Sequence, residues 1–124
     1  MDKIKVLVID DEKVVLMALK KILEKHNFLV DTVGSSKKSL ETIKKDGYKL
    51  FFLDYIMQDL DGIEVYKKIK EMHPEAKVIF ISGSINTDKI IKKAKEVTPN
   101  EEITCIYKPD ISEEVLLETI KKVM

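Results

Sequence analysis

Cysteine occurs once in this chain, at Cys105, so no internal disulfide can form, which agrees with a reducing compartment. Net charge is missing too: Lys+Arg and Asp+Glu both number 22, which speaks against nucleic acid or an anionic membrane as direct partners. No apolar run approaches the ~20 residues needed to cross a bilayer. The opening residues reach Asp10-Asp11-Glu12 too soon to hold a signal-peptide core. A cytoplasmic protein is the expectation. At 124 residues and 44% hydrophobic, the chain suits one domain with its own core, and no linker, repeat or second module is expected within residues 1–124.

The rest is organised around Leu50-Phe51-Phe52-Leu53-Asp54, an apolar run that stops on a carboxylate. Consecutive large apolar residues suit a strand buried on both faces, as in the centre of a parallel sheet. Asp54 then stands just past the carboxyl end of that strand, where ligand crevices lie in open α/β sheets.

Similar strands are read at Ile4–Ile9, Phe28–Val33, Lys77–Ser82 and Ile103–Tyr107. Between them, helical spacing puts Val15, Leu16, Leu19, Ile22 and Leu23 on one helix face, and Leu40 and Ile43 on a second helix ending near Gly47. A third helix opens at Gly62 behind an Asp61/Glu64 capping box, and a fourth runs from about Asn86 to Val97. A fifth, capped by Asp110 or Ser112, lines up Val115, Leu116, Ile120 and Val123. Strands alternating with helices imply a flavodoxin-like (βα)5 doubly wound sheet in the order 2-1-3-4-5, with helices on both faces. That order brings Asp10, Asp11 and Asp54 together, with Ser82 and Lys108 on the same rim.

Converging carboxylates repel: two unit charges about 4.5 Å apart cost about 4 kcal/mol at an effective dielectric of about 20. A hard divalent cation offsets this, and Mg²⁺ leaves coordination positions open for a phosphoryl group. Phosphoryl transfer depends mainly on positioning and charge neutralisation. Asp54 is thus a candidate nucleophile, with Lys108 and Ser82 as partners for phosphoryl oxygens.

With Asp10-Asp11 after strand one, Asp54 after strand three, Gly62 opening helix three, Ser82 after strand four and Lys108-Pro109 after strand five, the chain resembles a receiver domain of the two-component response regulators over essentially its whole length. The resemblance implies that Asp10, Asp11, Asp54 and the Ile56 backbone carbonyl hold Mg²⁺. It also implies that Asp54 takes phosphate from a sensor histidine kinase or a histidine phosphotransfer protein. Ser82 and Lys108 would read the phosphate, and a shifted equilibrium would reach a downstream protein, or a second copy of the chain, through helix four, strand five and helix five.

The sequence departs from the family's usual pattern at several places. Gln58 follows Met57 where many relatives have proline, and Thr98–Glu102 makes a longer connection before strand five. Ile56 and Ser84 stand two residues beyond Asp54 and Ser82, and the bulk of Ile56 predicts slow loss of phosphate. Cys105 replaces an aromatic residue, whereas Tyr107 shares its strand face roughly 7 Å nearer the site.

Other readings are less well served. A receiver that acts by binding alone is the first alternative. An Asp-nucleophile phosphatase needs a second acid two residues on, where this chain has Ile56, so turnover of an external substrate is not expected. A flavin or nucleotide binder needs a Gly- or Ser-rich phosphate cradle, where Asp10-Asp11-Glu12 would repel phosphate.

Overall fold

The structure, a computed structural model, describes residues 3–57 and 61–124. Five strands run parallel: β1 (Lys5–Ile9), β2 (Leu29–Val33), β3 (Tyr48–Asp54), β4 (Lys77–Ser82) and β5 (Thr104–Tyr107). Their order is β2-β1-β3-β4-β5, as the alternation of elements implied. Five helices return the chain between strands: α1 (Lys13–Lys25), α2 (Ser36–Thr42), α3 (Gly62–Met72), α4 (Asp88–Val97) and α5 (Glu113–Val123).

The pleat divides the strand side chains into two cores. Leu7, Ile9, Phe51, Leu53 and Phe80 face α2, α3 and α4, where they meet Ile43, Val65, Ile69, Ile90 and Ala94. Val6, Val8, Leu50, Phe52 and Ile79 face α1 and α5, where they meet Leu19, Leu23, Leu116 and Ile120. β3 is therefore apolar at each position from Leu50 to Leu53 rather than at alternate ones, because both its faces are covered there. Each fully buried Leu or Phe contributes about 1.5–3 kcal/mol, and this double core holds the rim above it.

Several boundaries differ from the sequence reading. β3 begins at Tyr48, which pairs with Lys5, and it includes Asp54, whose register partner is Ile81. Asp54 is thus the last residue of the strand rather than the first beyond it. α2 stops at Thr42, short of Gly47, because the chain closes into turns through Lys44 and Lys45. Gly47 takes φ of 101°, a left-handed turn that suits glycine. The inner line of α2 is Ser36, Ser39 and Ile43, with Leu40 only half-buried. α4 begins at Asp88, since Asn86 Oδ1 accepts from Asp88 N at 3.3 Å in a local turn. Ser112 caps α5, its Oγ accepting from Val115 N at 3.1 Å, and Asp110 ends a short 3₁₀ turn instead. Gln58 lies outside the described residues.

The longer connection before β5 is an ordered structure. Thr98 Oγ1 and Tyr66 Oη lie 2.6 Å apart, and Lys70 Nζ donates to Glu101 Oε1 at 2.6 Å and to Ala76 O at 2.8 Å. Lys70 is buried and its charge is met by Glu101, so α3 pins the loop. A cavity of about 280 Å³ between Tyr66, Lys70, Lys77, Glu101 and Thr104 lies here, at the amino ends of β4 and β5.

Asp61 Oδ1 accepts from Ile63 N at 3.0 Å and Glu64 N at 3.2 Å, which fixes the start of α3. That start presses on β3: a Cβ on Gly62 would come within 2.7 Å of the Asp54 carbonyl oxygen and 2.8 Å of Tyr55 Cα. Backbone cannot yield as a flexible side chain can. Gly62→Ala is expected to lower stability by about 1–3 kcal/mol, read as a lower urea midpoint at unchanged slope. An unchanged midpoint would contradict this packing.

Candidate functional site

β1 and β3 are neighbours at the point where the strand order reverses, so their carboxyl ends share one crevice. Asp10 follows β1, and its amide donates to Val33 O at 3.2 Å. Asp10 Oδ1 accepts from Glu12 N at 2.8 Å, so the carboxylate is oriented by the turn that opens α1. Neither Asp10 nor Asp11 caps that helix: its N-cap is Glu12, which makes no side-chain capping bond. Asp54, ending β3, is buried, as is Asp10, whereas Asp11 is open to solvent. Each of these three acids offers an oxygen within 4.8 Å of the others.

Lys108 enters from the edge strand. The 3₁₀ turn after β5 carries its ammonium to Asp54 Oδ2 at 3.2 Å, Asp10 Oδ2 at 3.0 Å and Glu12 Oε1 at 2.6 Å. The contact with Asp10 is an ion pair off the angle of a hydrogen bond, so that buried oxygen has no hydrogen-bond partner among the described residues. Burial pushes the Asp54 carboxyl up to about 7, helped by the Asp10 charge and opposed by Lys108. Burial likewise raises Asp10, against the Glu12 amide and Lys108. For Lys108 burial disfavours the charge, but Glu12, Asp10 and Asp54 outweigh it and raise its pKa. One ammonium is shared among too many carboxylates, and a buried oxygen without a hydrogen bond remains. Such a donor set fits a hard divalent cation.

Ser82 ends β4, one residue beyond the register partner of Asp54. It is buried, and its Oγ accepts from Ser84 N at 3.1 Å. Ile56 exposes 67% of its surface beside the rim. Tyr107 pairs in register with Ser82, and Cys105 with Phe80, so the tyrosine is the residue level with the rim. Burial pushes the Cys105 thiol up to about 11, in keeping with a small packing residue. His26 bonds Glu113, and His73 the Ile43 carbonyl; each joins two parts of the fold. Glu12 was not singled out by the sequence, although it completes the acidic run after β1 and makes the shortest contact with Lys108.

A family profile described as the response regulator receiver domain matches residues 6–121. The chain belongs to that family. Among curated relatives, the receiver protein CpdR of Brucella abortus is 28% identical over 79 residues, 64% of this chain and 66% of CpdR. The two-component response regulator ARR11 of Arabidopsis thaliana is 31% identical over 72% of this chain but 17% of its own length. The chain thus spans less than two thirds of these relatives. Among solved structures, a two-component response regulator from Clostridium difficile is 27% identical with a TM-score of 0.84, covering 97% of this chain and 94% of the other. Chemotaxis protein CheY4 of Vibrio cholerae, 20% identical with a TM-score of 0.87 over 99% and 100% of the two chains, shares the fold. Receiver domains are signalling domains that bind Mg²⁺ at an acidic pocket, and this receiver has an acidic cluster at the corresponding rim.

The raised Asp54 carboxyl sets a pH dependence for the metal-free protein. The folded state keeps this proton where the unfolded chain, with a carboxyl near 3.8, has lost it. Its contribution to stability therefore falls as pH rises from about 4 to about 7. Asp54→Asn is expected to stabilise the chelator-treated receiver by about 1–3 kcal/mol at pH 8 and by much less at pH 5. Urea denaturation at both pH values measures this; equal gains would contradict the charge crowding.

Proposed function

We propose that residues 1–124 form one receiver unit whose Asp54 accepts a phosphoryl group from the histidine of a sensor kinase or phosphotransfer protein. The observation that carries the reading is the meeting of Asp10, Asp11 and Asp54 within 4.8 Å, with Lys108 at 3.2 Å from Asp54. A carboxylate oxygen of Asp54 attacks phosphorus; the new P–O bond forms as the P–N bond breaks, and its electron pair leaves on the imidazole nitrogen. Asp10, Asp11, Asp54 and the Ile56 carbonyl would hold Mg²⁺, which supplies neutralising charge for the carboxylates and the incoming group.

Lys108 then pairs with a phosphoryl oxygen, and the Ser82 hydroxyl donates to another. Ser82 ends β4 and Lys108 opens the turn between β5 and α5, so their new contacts bias the face of α4, β5 and α5 toward a downstream protein. Receiver domains work with histidine kinases and downstream effectors; the cognate pair here, and a homodimer on the same face, belong to this proposal. It also has the chain act in the cytoplasm and not turn over an external substrate. Among the described residues, no helix is long and apolar enough to cross a membrane.

Intact-mass spectrometry after incubation with acetyl phosphate tests the reading. One phosphoryl adduct is expected with Mg²⁺, and none with a chelator or in Asp54→Asn. No adduct in the folded wild type, together with no beryllofluoride binding, would leave a receiver that works by binding alone. The exposed, bulky Ile56 beside Asp54 supports slow hydrolysis of the acyl phosphate. Ile56→Asn is expected to lose phosphate several-fold faster, measured as decay of the adduct; an unchanged decay would remove Ile56 as the barrier.

A further inference from the structure

Lys108 meets three carboxylates at once, at 2.6 Å (Glu12), 3.0 Å (Asp10) and 3.2 Å (Asp54). An ammonium has three N–H donors. Glu12 and Asp54 take two of these as hydrogen bonds and Asp10 adds an ion pair, so an incoming anionic oxygen competes with the present carboxylates for the same ammonium.

The three partners differ in what they lose. Asp10 is fully buried, and its Oδ2 has no hydrogen-bond partner, so withdrawing the ammonium would strand a charge. Asp54 is the acceptor itself; once acylated its charge moves onto the phosphoryl oxygens, beside the same ammonium. The Glu12 side chain is 60% exposed, so water replaces Lys108 there at small cost. Its backbone stays anchored, because the Glu12 amide donates to Asp10 Oδ1. The Glu12–Lys108 contact also joins the start of α1 to the turn that precedes α5, 96 residues apart.

We propose that Glu12 is a positioning residue that holds Lys108 in the unphosphorylated receiver and releases it to the phosphoryl group, so that this contact sets the affinity of the site for phosphate. The proposal rests on the reading of Asp54 as the acceptor. It assigns a role to the third acid of the run Asp10-Asp11-Glu12 that metal binding does not use. It also makes the tie between α1 and the α5 turn conditional on the state of Asp54.

The test is calorimetric titration with beryllofluoride, a phosphoryl mimic, at saturating Mg²⁺ on wild type, Glu12→Gln and Glu12→Asp. Glu12→Gln is expected to bind about 3- to 10-fold more tightly, the range for loss of one partly exposed competing ion pair. Glu12→Asp keeps the charge on a side chain one methylene shorter and is also expected to bind more tightly than wild type. A second readout uses metal-free protein: acylation of Lys108 by an amine reagent, followed by peptide mass spectrometry, should be faster in Glu12→Gln. Glu12 makes no capping bond, and both variants should unfold near the wild-type urea midpoint. Unchanged or weaker beryllofluoride binding by Glu12→Gln overturns the proposal. So does wild-type behaviour of Glu12→Asp, which would trace the effect to charge alone, and so does unchanged labelling of Lys108. Wild type that fails to bind beryllofluoride overturns instead the reading of Asp54, and the proposal with it.

Discussion

Negative charge crowded at the carboxyl ends of β1 and β3, beside one lysine, is the constraint on which the rest of this receiver depends. Two of the acids, Asp10 and Asp54, are buried, and a rigid frame holds them close against their mutual repulsion. That frame is the pair of apolar strands beneath them. β1 and β3 sit at the switch in strand order and are covered on both faces, so neither can splay to relieve the repulsion. The start of α3 adds a wedge, since Gly62 seats helix backbone directly on the Asp54 carbonyl.

Lys108 connects this charged corner to the edge of the sheet. β5 is short, and a proline-containing 3₁₀ turn follows it at once, which carries the ammonium back across the rim. Any redistribution of its three contacts is felt at the turn leading into α5. At the opposite end of the sheet the arrangement is tighter: the part-buried Lys70–Glu101 pair and the Tyr66–Thr98 contact tie α3 to the end of α4 and the loop beyond it. Among the described residues the start of α4 has no comparable tie, as Thr87 makes no side-chain capping bond and Ile85 stands 80% exposed before it. A change at Ser82 therefore meets less resistance at the rim end of α4 than at its far end.

Much of this was written in local pattern. Val6–Ile9, Leu50–Leu53 and Lys77–Ser82 read as buried strands because double burial removes alternation, and the alternating helices then allowed few topologies. The acids, the serine and the lysine could be named because strand ends mark themselves by the switch from apolar to polar. The departures came where local signals compete. α2 was read too long because Gly47 is the first strong stop signal, whereas the chain already closes into turns through Lys44 and Lys45. Asp54 was placed outside β3 because its polarity says nothing of its pairing level with Ile81. The ordered loop from Thr98 was opaque because its anchors, Tyr66 and Lys70, lie about 30 residues away (32 and 31).

The sequence by itself determined the elements, their order and the inventory of chemical groups at strand ends, since burial on two faces and helical spacing are properties of neighbouring residues. Only the tertiary structure decided how those groups share their charges. Glu12 reaching Lys108 across 96 residues and Asp10 Oδ2 without a hydrogen bond among the described residues both follow from register and packing. The physical reason is range: periodicity is set by the backbone over a few residues, whereas an ion pair or a register is fixed by distances between strands, to which neighbours in sequence do not contribute.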